Sequence, residues 1–202
     1  MKKKNIILLI FFCYPLIAQQ AAEKSWNLNF EQLEGSWPKS WPCAAWPADK
    51  SKIYFSEKAA FEGKGCLAID LKGKDARAVA LNFYNELPGT AMLTPIPLAN
   101  IKTINIAAIS RKTKLSLIVN YHAGCVRKAI EKFDLPQSKN WKQHNCRLNP
   151  PADVNYIQLE INAEGAGKAF IDNIILNSDI AALAIQGKPV ELLSSVEMCN
   201  NS

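Results

Sequence analysis

Apolar residues in this chain recur at every second position, in short runs separated by turn residues, and that period leaves little room for helix. Residues 154–162 (VNYIQLEIN) alternate most cleanly. The same rhythm runs through 52–56 (KIYFS), 66–71 (CLAIDL), 76–84 (ARAVALNFY) and 114–121 (KLSLIVNY), and again through 126–135, 141–148 and 168–176. Trp26, Leu28 and Phe30 alternate with Asn27, Asn29 and Glu31, which predicts a first strand with one buried face. Residues 101–109 (IKTINIAAI) are apolar in both phases near their middle, as a central, covered strand would be. Gly, Pro and Asn separate the runs, with Pro88-Gly89, Pro95 and Pro97 marking a loop-like edge segment. About ten short strands at intervals of about ten residues predict an all-β fold, an antiparallel sandwich or barrel.

One stretch departs from that rhythm. Trp37 to Pro47 (WPKSWPCAAWP) holds three Trp-Pro pairs and three of the chain's five tryptophans. Proline fixes its own φ and pushes the preceding residue toward extended geometry, so each indole is expected on a stiffened loop. Stiff, flat, amphipathic rings suit flat ligands such as sugar rings, and they equally suit a plug over one end of a core.

The amino terminus reads as a secretory signal peptide over residues 1–18. Three lysines precede an apolar run from Ile6 to Ile17, too short to span a bilayer, and Ala18 offers a cleavage point. Cys13 follows Phe11 and Phe12 where a lipidation site wants small residues, so no lipid anchor is expected. Export to the periplasm or beyond is the expected destination. Loss of Lys2, Lys3 and Lys4 lowers the net charge from +6 to +3, so the basic character is mostly targeting, and nucleic acid is not an expected partner. The predicted organisation is one domain over 23–177 and a weakly structured tail over 178–202, in which the strand rhythm is lost.

Beyond the leader lie Cys43, Cys66, Cys125, Cys146 and Cys199, with no C-x-x-C pair and only two histidines, which argues against zinc. In an oxidising compartment disulfides are expected. The working pairing is Cys43 with Cys66 and Cys125 with Cys146, leaving Cys199 over, although connectivity is not fixed by spacing.

Catalysis has little to stand on. No G-x-S-x-G, H-E-x-x-H or Gly-rich phosphate loop is present. His122 stands three residues before Cys125, and Glu57/Glu62 and Glu160/Glu164 are acid pairs, but nothing in their spacing sets the separation that glycoside chemistry requires. A non-enzymatic role is expected.

Several signposts taken together resemble secreted carbohydrate-binding modules of the galactose-binding-like jelly-roll type. They are Asn27-Leu-Asn-Phe-Glu31, Pro38-Lys-Ser-Trp41, Glu62-Gly-Lys-Gly-Cys-Leu-Ala-Ile69, Trp141, and Ala169-Phe-Ile-Asp-Asn-Ile-Ile-Leu176, over about residues 25–177. The resemblance implies a jelly-roll β-sandwich, a carbohydrate ligand, and a structural calcium held by Glu31 and Asp172 with backbone carbonyls near Gly63 to Gly65. It also makes Trp41, at the P-x-x-W position, structural. For the sugar, Trp37, Trp46, Tyr84, Tyr121 and Trp141 are the candidate stacking residues, with Asn82, Asn120, His122 and Arg77 as polar contacts. The alternative is an accessory or adhesion module that contacts another secreted or surface protein, related to the domains that precede hydrolase domains in larger secreted proteins.

Overall fold

The computed structural model describes residues 26–82, 96–98, 100–124 and 126–178, and these are almost entirely strand, turn and loop. The expected signal peptide, Tyr84, Cys125 and the expected tail with Cys199 fall outside the described residues. Thirteen strands are present among the described residues: β1 (Leu33–Glu34), β2 (Trp37–Pro38), β3 (Cys43–Trp46), β4 (Lys52–Ser56), β5 (Cys66–Leu71), β6 (Arg77–Leu81), β7 (Ile96–Pro97), β8 (Ile101–Arg111), β9 (Lys114–Ala123), β10 (Val126–Leu135), β11 (Ser138–Arg147), β12 (Tyr156–Glu164) and β13 (Gly167–Ser178). Ten of them are four residues or longer; nine coincide with alternating runs, and the tenth, β3, lies in the Trp-Pro stretch.

Two sheets form an antiparallel sandwich. The first runs β10, β9, β12, β6, β3, with β7 also paired to β12; the second runs β11, β8, β13, β5, β4. Successive strands cross repeatedly from one sheet to the other, the winding of a jelly roll. Inner positions of the first sheet are Ala78, Ala80, Leu115, Leu117, Val119, Tyr121, Ile157, Leu159, Ile161 and Ala163; the second contributes Leu67, Ile69, Leu71, Ile104, Ile106 and Ile171 among others. Strand β8 is flanked on both sides and its middle is buried, as its apolar phases predict.

Two expectations are corrected here. Residues 26–31 are a turn, not a strand: Asn27 and Phe30 take φ of 50° and 58°, values a strand does not accommodate. Asn27 holds that turn, donating Nδ2 to the carbonyls of Gln32 (2.8 Å) and Lys39 (2.7 Å) and accepting the Gln32 N–H at Oδ1 (2.9 Å). Into this frame Trp41 inserts with no exposed surface, its Nε1 donating to Asn27 O at 2.9 Å and its ring 5.0 Å from that of Phe30. Trp41 is thus structural, as its position implies. The Trp-Pro stretch, in turn, is not all loop, because Cys43–Trp46 is strand β3 at the edge of the first sheet.

The expected disulfides are corrected too. Cys43, Cys66 and Cys146 are free thiols. Cys43 pairs with inner-facing Ala80 on the first sheet, whereas Cys66 lies on the outer side of the second, in register with Ser56. A full sheet plus an inter-sheet gap of about 10 Å separates those positions, more than a disulfide can bridge. Cys146 sits on β11 in the core, and its expected partner Cys125 is outside the described residues. Burial pushes the Cys43 and Cys66 thiols up to about 12, Cys66 also feeling the Asp172 charge, which leaves both poor nucleophiles.

Candidate functional site

The outer face of the first sheet is built by the phase that the core does not use. On β12 that phase is Tyr156, Gln158, Glu160 and Asn162, all partly exposed, while Ile157, Leu159 and Ile161 point inward. Register carries the face sideways. Gln158 stands opposite Asn120, which stands opposite Ile130; Glu160 stands between Ile118 and Leu81; Asn162 stands between Ser116 and Val79. At one corner Trp46 of β3 is opposite Arg77 of β6, which is opposite Glu164. The Arg77 guanidinium carbon lies 4.8 Å from the Trp46 ring centroid, and Trp46 is 42% exposed. The face therefore presents one open aromatic plane at a corner and, beyond it, a ladder of amide and carboxylate groups flanked by partly exposed Val79, Leu81 and Ile118 and by exposed Ile130.

Of the predicted contacts, the structure brings Trp46, Arg77, Asn120 and His122 to this face. Asn120 is only 2% exposed, so it underlies the face and does not line it. His122 is partly buried opposite Tyr156; burial, then the Arg127 charge, holds its imidazole below the ordinary range, so it is neutral at pH 7. Trp37 is elsewhere. It sits half-buried in a groove of about 620 Å³ between edge strands β3 and β4, with Pro42, Cys43, Ile53 and Tyr54, and its Nε1 donates to Trp41 O at 2.8 Å.

Three expected contacts are corrected. Tyr121 is an inner residue, 1% exposed, whose hydroxyl donates to Glu131, and burial, then that carboxylate, raise its pKa. Asn82 is 2% exposed and spends its Nδ2 on Trp26 O at 2.8 Å. Trp141 lies on β11 in the second sheet, packed against Phe61 with ring centroids 5.6 Å apart, and so is remote from the first sheet's face. Tyr84 lies outside the described residues. Gln158, Glu160 and Asn162 escaped the sequence reading, although the polar phase of VNYIQLEIN already carried them.

The two acids tied to calcium do meet at one place. Asp172 is 1% exposed at a β13 bulge, where Asn173 takes φ of 48°. Loop 57–65 folds over it: Phe61 N and Glu62 N donate to Asp172 Oδ2 at 2.9 and 3.1 Å, and Asn173 N donates to Oδ1 at 2.8 Å. Glu31 reaches the same loop, accepting Lys64 N–H and Gly65 N–H at Oε1 at 2.7 and 3.4 Å. A calcium ion wants six to eight oxygen ligands, and amide hydrogens aimed at both carboxylates present positive, not negative, poles. Among the described residues no group of three or more His, Cys, Asp or Glu side chains could hold a metal. The arrangement does not fit calcium.

No known family and no curated protein matches the sequence. Solved structures do match in fold. The family 11 carbohydrate-binding module of a Clostridium thermocellum cellulosomal cellulase is 13% identical, with 74% of this chain and 91% of that one covered, at a TM-score of 0.50. The Clostridium thermocellum family 11 module in complex with a β-1,3-1,4-mixed-linked tetrasaccharide is 12% identical, over 74% and 92%, also at 0.50. The enzymatically active domain of a bacteriophage CBA120 tailspike protein is 11% identical at 0.53, over 76% of this chain but 21% of that one. At these identities the likeness is one of fold: this chain has the β-sandwich that such modules share.

Proposed function

We propose that this protein is an exported, non-catalytic module that binds a glycan chain across the outer face of its first sheet. The observation that carries this reading is the exposed Trp46 plane, held by Arg77, at the corner of a face whose centre is Gln158, Glu160 and Asn162. A pyranose ring offers an apolar face that stacks on indole and a rim of hydroxyls that both donate and accept hydrogen bonds. Amides supply donors and acceptors together, carboxylates accept, and the Arg77 guanidinium donates, so the face answers each group of such a chain. The fold it shares with family 11 modules, one of which is in complex with a mixed-linked tetrasaccharide, supports the choice of ligand class.

A protein-docking role calls for a broad apolar patch. Among the described residues the exposed large apolar side chains, Leu33, Trp46, Tyr54, Val126 and Ile130, are spread over β1, β3, β4 and β10, which favours the glycan. The test is native gel electrophoresis of residues 19–202 through gels cast with soluble polysaccharides, mixed-linkage β-glucan first. Retardation by at least one polysaccharide is expected; unchanged mobility in a broad panel, with the fold intact, would overturn the reading.

A further inference from the structure

We propose that Glu31 and Asp172 act as metal-independent anchors that pin loop 57–65 to the sandwich by accepting its backbone N–H groups. The loop leaves β4, crosses the outer side of the second sheet and enters β5, covering Ser56, Cys66 and Ala107, which are at most 9% exposed although they lie on that outer side. Something must satisfy the amides it turns inward, and two carboxylates far apart in sequence do so. Asp172 takes the loop's Phe61 and Glu62 N–H groups, besides that of its own neighbour Asn173, and Glu31 takes two more from the loop. Successive amides converging on one oxygen make an anion-binding nest, whose polarity is the reverse of a cation site.

The chain geometry is cut to this arrangement. Gly63 has φ of +68°, and a Cβ there would stand 2.2 Å from Glu31 Oε1, so any side chain would be strained and would displace that carboxylate from its N–H donors. Glu62 adds a third tie, accepting Asn173 Nδ2 at 3.0 Å. What the anchors hold in place is Phe61, against Trp141 on β11 at the far edge of the same sheet.

The distinguishing experiment compares thermal unfolding of the mature protein and of Glu31→Gln and Glu31→Ala, each with chelator and with excess calcium. An amide oxygen still accepts an N–H but is a poor substitute for a calcium-ligating carboxylate. The expected result is one Tm for the unmodified protein in both buffers, a small drop in Glu31→Gln and a drop of several degrees in Glu31→Ala. Gly63→Ala, read by protease cleavage within the loop, is expected to open it even where the sandwich stays folded. A Tm that rises with calcium, as mass action demands of a bound ion, would overturn the inference, as would equal losses in the two Glu31 variants. Neither outcome bears on glycan binding, which is read on the opposite sheet.

Discussion

Arg77 and Trp46 are register partners on β6 and β3, and the Arg77 guanidinium carbon sits 4.8 Å from the centre of the Trp46 ring. A cation over an exposed indole is worth about 0.5–1 kcal/mol, so the pair orients a ring more than it stabilises a fold. Arg77→Ala should therefore lower stability by about 1 kcal/mol or less in chemical denaturation. It should also weaken retardation by a bound polysaccharide several-fold, with Arg77→Lys intermediate.

Trp41 differs from its neighbours. It has no exposed surface, and its Nε1 bond to Asn27 O closes the turn of residues 27–32. Trp41→Ala should cost about 3–5 kcal/mol in urea unfolding, mostly from the cavity, since Asn27 O keeps its bond from Phe30 N–H at 3.1 Å. A loss no larger than that of Trp46→Ala would mean that Trp41 is not the plug of this end of the core.

Tyr121 tests the corrected assignment. Its hydroxyl donates to Glu131, whose carboxylate also accepts Asn149 N–H at 3.1 Å. Tyr121→Phe should lose about 1–3 kcal/mol of stability and leave polysaccharide retardation unchanged. Selective loss of binding would return Tyr121 to the ligand face.

Two carboxylates, the partly buried Asp70 and the buried Asp172, set opposite pH slopes. For Asp70, burial alone would raise the pKa, but hydrogen bonds and charges from Lys72 (2.9 Å) and Lys168 (3.4 Å) outweigh it and leave the group below its ordinary value. Its contribution is present above the unfolded-chain value of about 3.9 and is lost as pH falls through the lower folded value. Asp172 is raised, by burial first and by the Glu31 charge, despite its three N–H donors. Its ionisation opposes folding progressively as pH rises from about 3.9 through the raised value. Asp70→Asn should accordingly flatten the acid limb of a Tm-against-pH curve; an unchanged limb would contradict the linkage.

The strands that alternate cleanly, such as β12, could be placed from sequence because one face is buried and the other is not. Strand β9 shows the limit. Leu115, Leu117, Val119 and Tyr121 compete with Ile118 in the other phase, and a largely apolar strand does not declare which phase points inward, so sequence alone leaves the side of Tyr121 open. Turn 27–32 mimics a strand because its alternation is apolar and polar, while the φ values that break it depend on Asn27 side-chain bonds. The meeting of Glu31 with Asp172 was legible. The direction in which loop 57–65 aims its amides was not, since it follows from backbone geometry around Gly63. The Cys43–Cys66 pairing fails because spacing does not report which sheet face a cysteine occupies.

The most direct test of the central claim is to run the mature protein, Trp46→Ala and Gln158→Ala side by side through native gels containing the polysaccharide that retards it most. Trp46 is 42% exposed, and Gln158 is partly exposed on the outer face, so both variants should unfold within about 1 kcal/mol of the unmodified protein. The account predicts that Trp46→Ala loses retardation and that Gln158→Ala is retarded several-fold less. Full retardation of both variants, with all three proteins equally stable, would place the ligand away from this face and contradict the account.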